Sequence, residues 1–248
     1  FQARDHTPDD LVARLQAEGR FCVQSNGAQT DALCPSDPRN QQLQIRAMIE
    51  AAHRPGVAGI HFDYIRYPNG DTCFCSGCRE RFAAYVGQPV ANWPADVQPN
   101  GPLREQWLQF RRANITRVVR EVSETVRREV PGCMISAAVF RNWPQCADDV
   151  GQDWVAWAKA GWLDFVCPMN YTNSHSQFRA AVTAQLGFLQ GAVPCYPGIG
   201  LLTGLGPVGA CRQVEICREL GTQGFVIWSV YPAYIDDVYP YLGMSLLR

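Results

Sequence analysis

The stretch Val57-Ala58-Gly59-Ile60-His61-Phe62-Asp63-Tyr64-Ile65-Arg66-Tyr67-Pro68 crowds a carboxylate, two phenols, an imidazole and a guanidinium into a few residues. Strand alternation puts His61, Asp63 and Ile65 on one face and Ile60, Phe62, Tyr64 and Arg66 on the other. Apolar side chains on both faces predict a strand buried on both sides, as in a parallel sheet covered by helices. The reactive groups gather at its C-terminal end, where α/β enzymes place their active sites, and Pro68-Asn69-Gly70 then turns the chain. A structural ion pair between Asp63 and Arg66 with packed tyrosines is the alternative. The density of functional groups favours a site.

A second constellation follows at once in Cys73-Phe74-Cys75-Ser76-Gly77-Cys78. Three thiolates at this spacing can meet on one metal ion, and Cys34, in a Leu-Cys-Pro loop upstream, is the best fourth ligand. Four cysteines would make a closed structural zinc site with no open position for water. One disulfide with free thiols in an oxidising compartment is the competing reading. Of the 11 cysteines in the chain, Cys133, Cys167 and Cys195 fall in apolar strand-like runs and read as small buried hydrophobes.

The elements that must hold these groups alternate. Thr7-Pro8-Asp9-Asp10 reads as a helix N-terminus, with Thr7 as cap and Pro8 first in the helix. A short extended piece follows at 21–24, and Ser36-Asp37-Pro38 opens a second helix. After the strand at 57–67 come a short helix at 75–86, a long amphipathic helix at 103–130 and a strand at 133–140. Beyond them lie a loop, a helix at 152–160, a strand at 163–171 and a helix at 176–189. A strand at 193–200, a helix at 208–220, a strand at 225–230 and a short helix near 235–241 complete the chain. Strands separated by helices are the signature of βαβ units and a parallel sheet. Five such strands, with none before the two leading helices, correspond to the last five units of a (β/α)8 TIM barrel, which needs about 250 residues when whole. An open doubly wound sheet is the alternative. It is weakened because no strand is followed by a glycine-rich phosphate loop.

At 248 residues, 47% hydrophobic and 18% charged, the chain reads as one globular domain spanning 1–248. A net charge of -1 offers no electrostatic case for nucleic acid or an anionic membrane surface. No apolar run is long enough to span a bilayer, and no glycine-rich loop calls for an organic cofactor.

The decapeptide Gly59-Ile60-His61-Phe62-Asp63-Tyr64-Ile65-Arg66-Tyr67-Pro68 resembles the hallmark of bacterial glycosyl-hydrolase-like TIM barrels, relatives of the α-amylase-type barrels. Further matches are Leu33-Cys34-Pro35-Ser36-Asp37-Pro38, Ser136-Ala137-Ala138-Val139-Phe140 and Gly151-Gln152-Asp153-Trp154. The segments from Leu163 to Thr172 and from Tyr196 to Gly200 complete the set. In α-amylase-type barrels the fourth strand carries glycine, then a basic residue two before a catalytic aspartate, places held here by Gly59, His61 and Asp63. The resemblance implies a barrel lacking strands one to three in this chain, within a longer protein whose signal or lipid anchor lies upstream. It also implies an extracytoplasmic location and a polymeric amino-sugar substrate, such as bacterial cell-wall glycan.

On that reading Asp63 is the nucleophile or stabilising carboxylate of a glycosidase. The glutamate acid that such barrels carry at strand five is absent from 135–140. Asp153 is the candidate second carboxyl, with capping of the next helix as its competing role. His61, Tyr64, Arg66, Tyr67, Asn170, Tyr171, Tyr196 and Trp228 are the candidate sugar-binding residues. Trp107, Trp154, Trp157 and Trp162 are expected in the core. The group Cys34, Cys73, Cys75 and Cys78 resembles the cysteine zinc site beside strand four of certain β-galactosidase barrels. A carbohydrate-binding barrel without turnover is the main rival, and a metal-dependent hydrolase using the cysteines is a third reading.

Overall fold

In chain order the computed structural model has α1 (Asp9–Ala17), β1 (Phe21–Val23), β2 (Gln29–Leu33), α2 (Pro38–Ala52), β3 (Gly59–Phe62), α3 (Ser76–Val86), α4 (Arg104–Glu129) and β4 (Met134–Phe140). It continues with α5 (Gln145–Val150), α6 (Trp154–Lys159), β5 (Phe165–Met169), α7 (His175–Leu189), β6 (Gly198–Gly200), α8 (Gly206–Glu219), β7 (Val226–Trp228), α9 (Pro232–Asp237) and α10 (Tyr239–Leu246). The structure describes residues 8–229 and 231–246. The Thr7 cap and the Val230 end of the last expected strand lie outside them. All five strands expected from the alternating pattern form, as β3 to β7.

Two compact units make up the chain, one formed by residues up to 133 with 144–153 and the other by 134–143 with 154 onward. In the first unit, β1 and β2 make an antiparallel hairpin with Phe21 opposite Leu33. The sequence showed β1 but not β2, whose Gln29-Thr30-Asp31 start is polar and only partly buried. Asp37 caps α2 by accepting the Arg39 backbone N–H, and Pro38 fills the first helical position.

Helix α4 buries Trp107, Phe110, Ile115, Val118, Val119, Val122 and Val126, a stripe at helical spacing. Trp107, with no exposed surface, stacks on Phe110 at 5.4 Å and meets Phe82 edge-on at 5.1 Å. Arg111 on the same helix is also fully buried. It donates to the carbonyls of Asn69, Asp148 and Asp149 at 2.7–3.0 Å, and its guanidinium lies over the Tyr67 ring at 4.5 Å.

β3 differs from its sequence reading. Ile60 and Phe62 are buried but Gly59 and His61 are exposed, so one face is apolar and the other open. Val57 and Ile65, which suggested a second buried face, stand outside the strand.

The second unit holds the parallel strands β4, β5, β6 and β7 in that spatial order, each followed by helix. The β4–β5 register is locked where Asp164 meets Ile135. The Ile135 N–H donates to Asp164 Oδ2 at 2.6 Å, and the Asp164 N–H donates to the Ile135 carbonyl at 2.7 Å. Helices α7 and α8 cover the outer face through Phe178, Val182, Val214 and Cys217, with Ile199 of β6 beneath. Trp154 and Trp157 are fully buried, as expected, and Trp162 is half-buried. The segment 145–150, expected as loop, is helix α5, and its Cys146, Ala147 and Val150 are buried. Three apolar residues in six carry too short a period to be recognised.

Truncation of Trp107 to alanine removes the ring on which Phe74, Phe82, Trp93 and Phe110 converge. Urea unfolding is expected to show a loss of about 3–5 kcal/mol.

Candidate functional site

The turn after β3 is built residue by residue. Asp63 follows the last strand residue and is exposed. Its Oδ1 accepts the Tyr64 backbone N–H at 2.8 Å, which fixes the carboxylate against its own turn. Tyr64 has φ 51°, a left-handed conformation that side-chain-bearing residues adopt at a cost. That turn sends the Tyr64 ring outward, 39% exposed. The Arg66 N–H closes the loop on the Tyr64 carbonyl at 2.8 Å, and the Arg66 guanidinium covers the Tyr64 ring at 4.5 Å. Below the turn, the Tyr67 N–H donates to the Val150 carbonyl at 2.9 Å and Gln152 Nε2 donates to the Ile65 carbonyl at 3.4 Å.

His61 lies on the Asp63 face of the strand. Desolvation of its ring is the larger influence and holds its pKa below the ordinary imidazole value, while the Asp63 carboxylate pulls it back up. At neutral pH the ring is therefore uncharged, an acceptor and donor rather than a cation.

The same turn corrects one sugar-binding assignment. Tyr67 is fully buried, its ring occupied by Arg111 and its hydroxyl reached by Asn114 Nδ2 at 3.3 Å. It supports the turn from below and has no face to offer a ligand. Asp153 is half-buried and immediately precedes α6, the position of a helix cap.

In the second unit Tyr171 follows β5 and Trp228 ends β7. Their rings lie near parallel, 16° apart in plane and 6.4 Å between centroids, with Trp228 44% exposed. β6 makes room for this pair. A Cβ on Gly200 would come within 2.9 Å of the Tyr171 Cβ, and one on Gly198 within 3.1 Å of its ring. The Gly198-Ile199-Gly200 strand thus carries no side chain on the Tyr171 side, and the ring lies across it. Glycine in a strand interior is a mark of such close approach.

Two other assignments fall in this unit. Asn170 is fully buried and exchanges both amide bonds with Gln185: Asn170 Nδ2 donates at 3.0 Å and Gln185 Nε2 donates back at 2.7 Å. Its amide is consumed internally and does not reach a sugar. Tyr196 precedes β6 and packs edge-on to Phe165, the first residue of β5, at 5.0 Å. In parallel strands that is the N-terminal end, opposite to the end bearing Tyr171 and Trp228, so Tyr196 does not join their surface.

Cys34, Cys73, Cys75 and Cys78 come together as the spacing suggested, with all four sulfurs within 4.8 Å of one another. Three are buried, Cys75 is half-buried and none forms a disulfide. Cys34 Sγ is 3.4 Å from Cys78 Sγ and 4.0 Å from Cys75 Sγ. A tetrahedral ion with metal–sulfur bonds of about 2.3 Å has sulfur–sulfur edges of about 3.8 Å, which these separations bracket. The sulfurs also receive the donors that thiolates need. The Val23 N–H reaches Cys73 at 3.3 Å and the Cys78 N–H reaches Cys75 at 3.4 Å, which makes Cys75 the N-cap of α3. Arg81 Nη2 reaches Cys34 at 3.6 Å, and Arg81 Nε donates at 3.0 Å to Ser36 Oγ, itself 3.1 Å from Cys78 Sγ. Gly77 allows this fold-back, since a Cβ there would stand 2.7 Å from Arg81 Nη1.

Ser36, Arg81 and Cys22 were not singled out from the sequence. Arg81 and Ser36 carry no spacing signal, and Cys22 sits in the short extended piece at 21–24. Hydrogen bonds from Cys22 and its neighbours hold the Cys34 thiol well below the usual range and bring Cys73 to about 5. Burial pushes Cys22 and Cys78 up. The cluster can hold one metal ion, and its donors are those of a closed tetrathiolate site.

Three comparisons bear on this geometry. Residues 4–214 match the family model described as Glycosyl hydrolase-like 10. An S-layer-related protein of Niallia circulans is 23% identical over 230 residues, which cover 78% of this chain and 14% of that protein. The chain therefore spans about one-seventh of the length of that relative. Among solved structures, the PgaB (BpsB) glycoside hydrolase domain from Bordetella bronchiseptica superposes with a TM-score of 0.70 at 14% identity, over 92% of this chain and 69% of that one. A beta-galactosidase from Bacillus circulans sp. alkalophilus gives 0.59 at 13% identity, over 93% of this chain and 44% of that one. These likenesses show the fold, the α/β architecture of glycoside hydrolase TIM barrels, of which the chain supplies part. With its model matched over most of the sequence, the chain belongs to the Glycosyl hydrolase-like 10 family.

Proposed function

We propose that this chain is the catalytic barrel of a glycoside hydrolase acting on a polysaccharide, an amino-sugar glycan such as bacterial cell-wall strands. The observation that carries the reading is the exposed Asp63 carboxylate at the C-terminal end of β3, held by the Tyr64 N–H beside an outward ring and a guanidinium. A carboxylate so placed can stabilise or trap the oxocarbenium-like transition state of glycosidic cleavage. Tyr64 and Arg66 offer a sugar one stacking face and several donors, and neutral His61 adds a hydrogen bond. Tyr171 and Trp228 provide a second aromatic surface for sugar rings. Asp153 is the candidate for the second carboxyl. An extracytoplasmic location suits such a substrate and is supported by the S-layer-related relative. No described helix is long and apolar enough to cross a membrane.

A second reading, a carbohydrate-binding barrel without turnover, is favoured by two observations. β4 carries no carboxyl side chain, and the Asn170 amide is spent on Gln185.

The cysteine cluster holds zinc on this reading, since tetrahedral thiolate ligation suits it, and its role is structural. The ion would join the β1–β2 hairpin, the segment after β3 and the start of α3, leaving the catalytic chemistry to the carboxylates.

Three measurements test these assignments. Asp63→Asn is expected to lower the release of reducing ends from amino-sugar polysaccharide by at least about 10²-fold. Trp228→Ala should weaken binding by about 0.5–1.5 kcal/mol. Glycan binding by wild type without turnover would select the second reading.

For His61 the depressed native pKa fixes the sign of a pH effect. The unfolded chain takes up its proton near pH 6.5, before the native state does. Stability is full above that pH, declines as pH falls toward the native pKa, and then levels. Asp63→Asn removes the group that raises the pKa, so an NMR titration of His61 should show a further downward shift.

Metal analysis should find one zinc per chain. Its removal by a chelator under reducing conditions should lower the unfolding temperature, while a chain of unchanged stability would show that the cysteines need no ion.

A further inference from the structure

Behind the Tyr171–Trp228 surface lies a set of buried amides that touch neither ring face. The turn from β5 to α7 carries Asn170, Tyr171 and Thr172 in succession. The two residues flanking the tyrosine are buried, and each is gripped by a fully buried glutamine from a different helix. On one side, Gln185 of α7 exchanges two hydrogen bonds with the Asn170 amide. Its Nε2 also reaches the Arg141 carbonyl, just past β4, at 3.3 Å. On the other side, Gln213 of α8 donates from Nε2 to the Thr172 carbonyl at 2.8 Å. The Gln213 Oε1 has no hydrogen-bond partner among the described residues, so this buried amide is committed to the turn.

Helix packing does not call for these amides. Around them α7 and α8 meet through Phe178, Val182, Val214 and Cys217, and polar groups are costly to bury in such an interface. The ring between them, however, needs fixing from its own backbone. β6 offers Tyr171 a flat bed without walls, because the glycines at 198 and 200 leave no side chain to stop the ring from sliding. The glycines grant freedom, and the two glutamines take it away.

We propose that Gln185 and Gln213 are positioning residues for Tyr171, fixing the backbone on both sides of it so that its ring stays on β6, near parallel to Trp228. The inference rests on the reading of these rings as a sugar surface and deepens it. Affinity for the glycan is then set in part by two side chains that no sugar touches, because a ring already in place spares the ligand the cost of ordering it.

The test uses the whole chain labelled with 3-fluorotyrosine, in which the fluorine-19 NMR line of Tyr171 is identified by its loss in Tyr171→Phe. Gln213→Met keeps the bulk of the side chain and removes the donor. It should shift or broaden the Tyr171 line and weaken binding of a soluble N-acetylglucosamine oligomer by about two- to tenfold. Asn170→Leu combined with Gln185→Met replaces both partners of the other grip by apolar groups, a change that can be nearly neutral for stability, and should have the same two effects. In a Tyr171→Ala background, Gln213→Met should cost no further affinity. Val182→Ala, a truncation in the apolar interface, should lower stability yet leave the Tyr171 line and the affinity as in wild type.

A Tyr171 line unchanged in Gln213→Met and in the Asn170–Gln185 double variant would overturn the proposal. An affinity loss in Gln213→Met that persists in full beside Tyr171→Ala would do so too. Should Gln213→Met not fold, Gln213→Asn, one methylene shorter, is read by the same outcomes. If Tyr171→Ala leaves binding unaltered, or wild type does not bind the oligomer, the sugar-surface reading falls instead, and the NMR line alone decides whether the glutamines hold the ring.

Discussion

A buried cation with no carboxylate partner among the described residues organises the first unit. Arg111 sits with no exposed surface, and its positive charge is met by three backbone carbonyls and the face of Tyr67. Carbonyl dipoles can stabilise a guanidinium in low dielectric only if they are aimed at it and held there. Asn69, Asp148 and Asp149 are therefore fixed in position by the ion they solvate, and the turn that carries Asp63, Tyr64 and Arg66 is fixed with them. Burial lowers the pKa of Arg111, with Tyr67 opposing the shift, but an arginine keeps its charge under such conditions. The exposed chemistry at the end of β3 rests on this concealed charge.

The pattern of strands and helices was legible because hydrophobic periodicity survives in a single sequence. So was the cysteine cluster, since the spacing of Cys73, Cys75 and Cys78 keeps three thiols within reach of one another. Which aromatic residues meet solvent was not legible. Tyr64 and Tyr67 are three residues apart in the same motif, yet one ring is exposed and the other is spent on Arg111, a residue 44 positions onward whose burial nothing local announces. Asn170 and Tyr196 failed for similar reasons. The amide partner of Asn170 is Gln185 on α7, and the end of the sheet at which Tyr196 lies depends on where β6 begins. The strand was expected from 193, but after a single bridge from Cys195 to Val166 the regular strand begins only at Gly198, which leaves Tyr196 ahead of it.

The two units bring their exposed groups forward by different means. At β3 a left-handed residue throws a ring outward. At β6 the absence of side chains lets a neighbouring ring lie flat. An ion held by the cysteine cluster would add a restraint to secondary elements that are short: β1 has three residues and β3 has four. Strands of that length gain little from ladder hydrogen bonds alone. Cross-linking through one ion is a common remedy where the core is thin.

The backbone of Tyr64 has one more consequence. A residue with a side chain held at φ 51° costs of order 1–3 kcal/mol relative to one at ease there, and glycine would relieve most of it. At this position, then, a change that firms the fold would strip the surface of its ring, and the chain retains tyrosine. The motif stores a small, permanent strain at the spot where this aromatic ring stands clear of its own backbone.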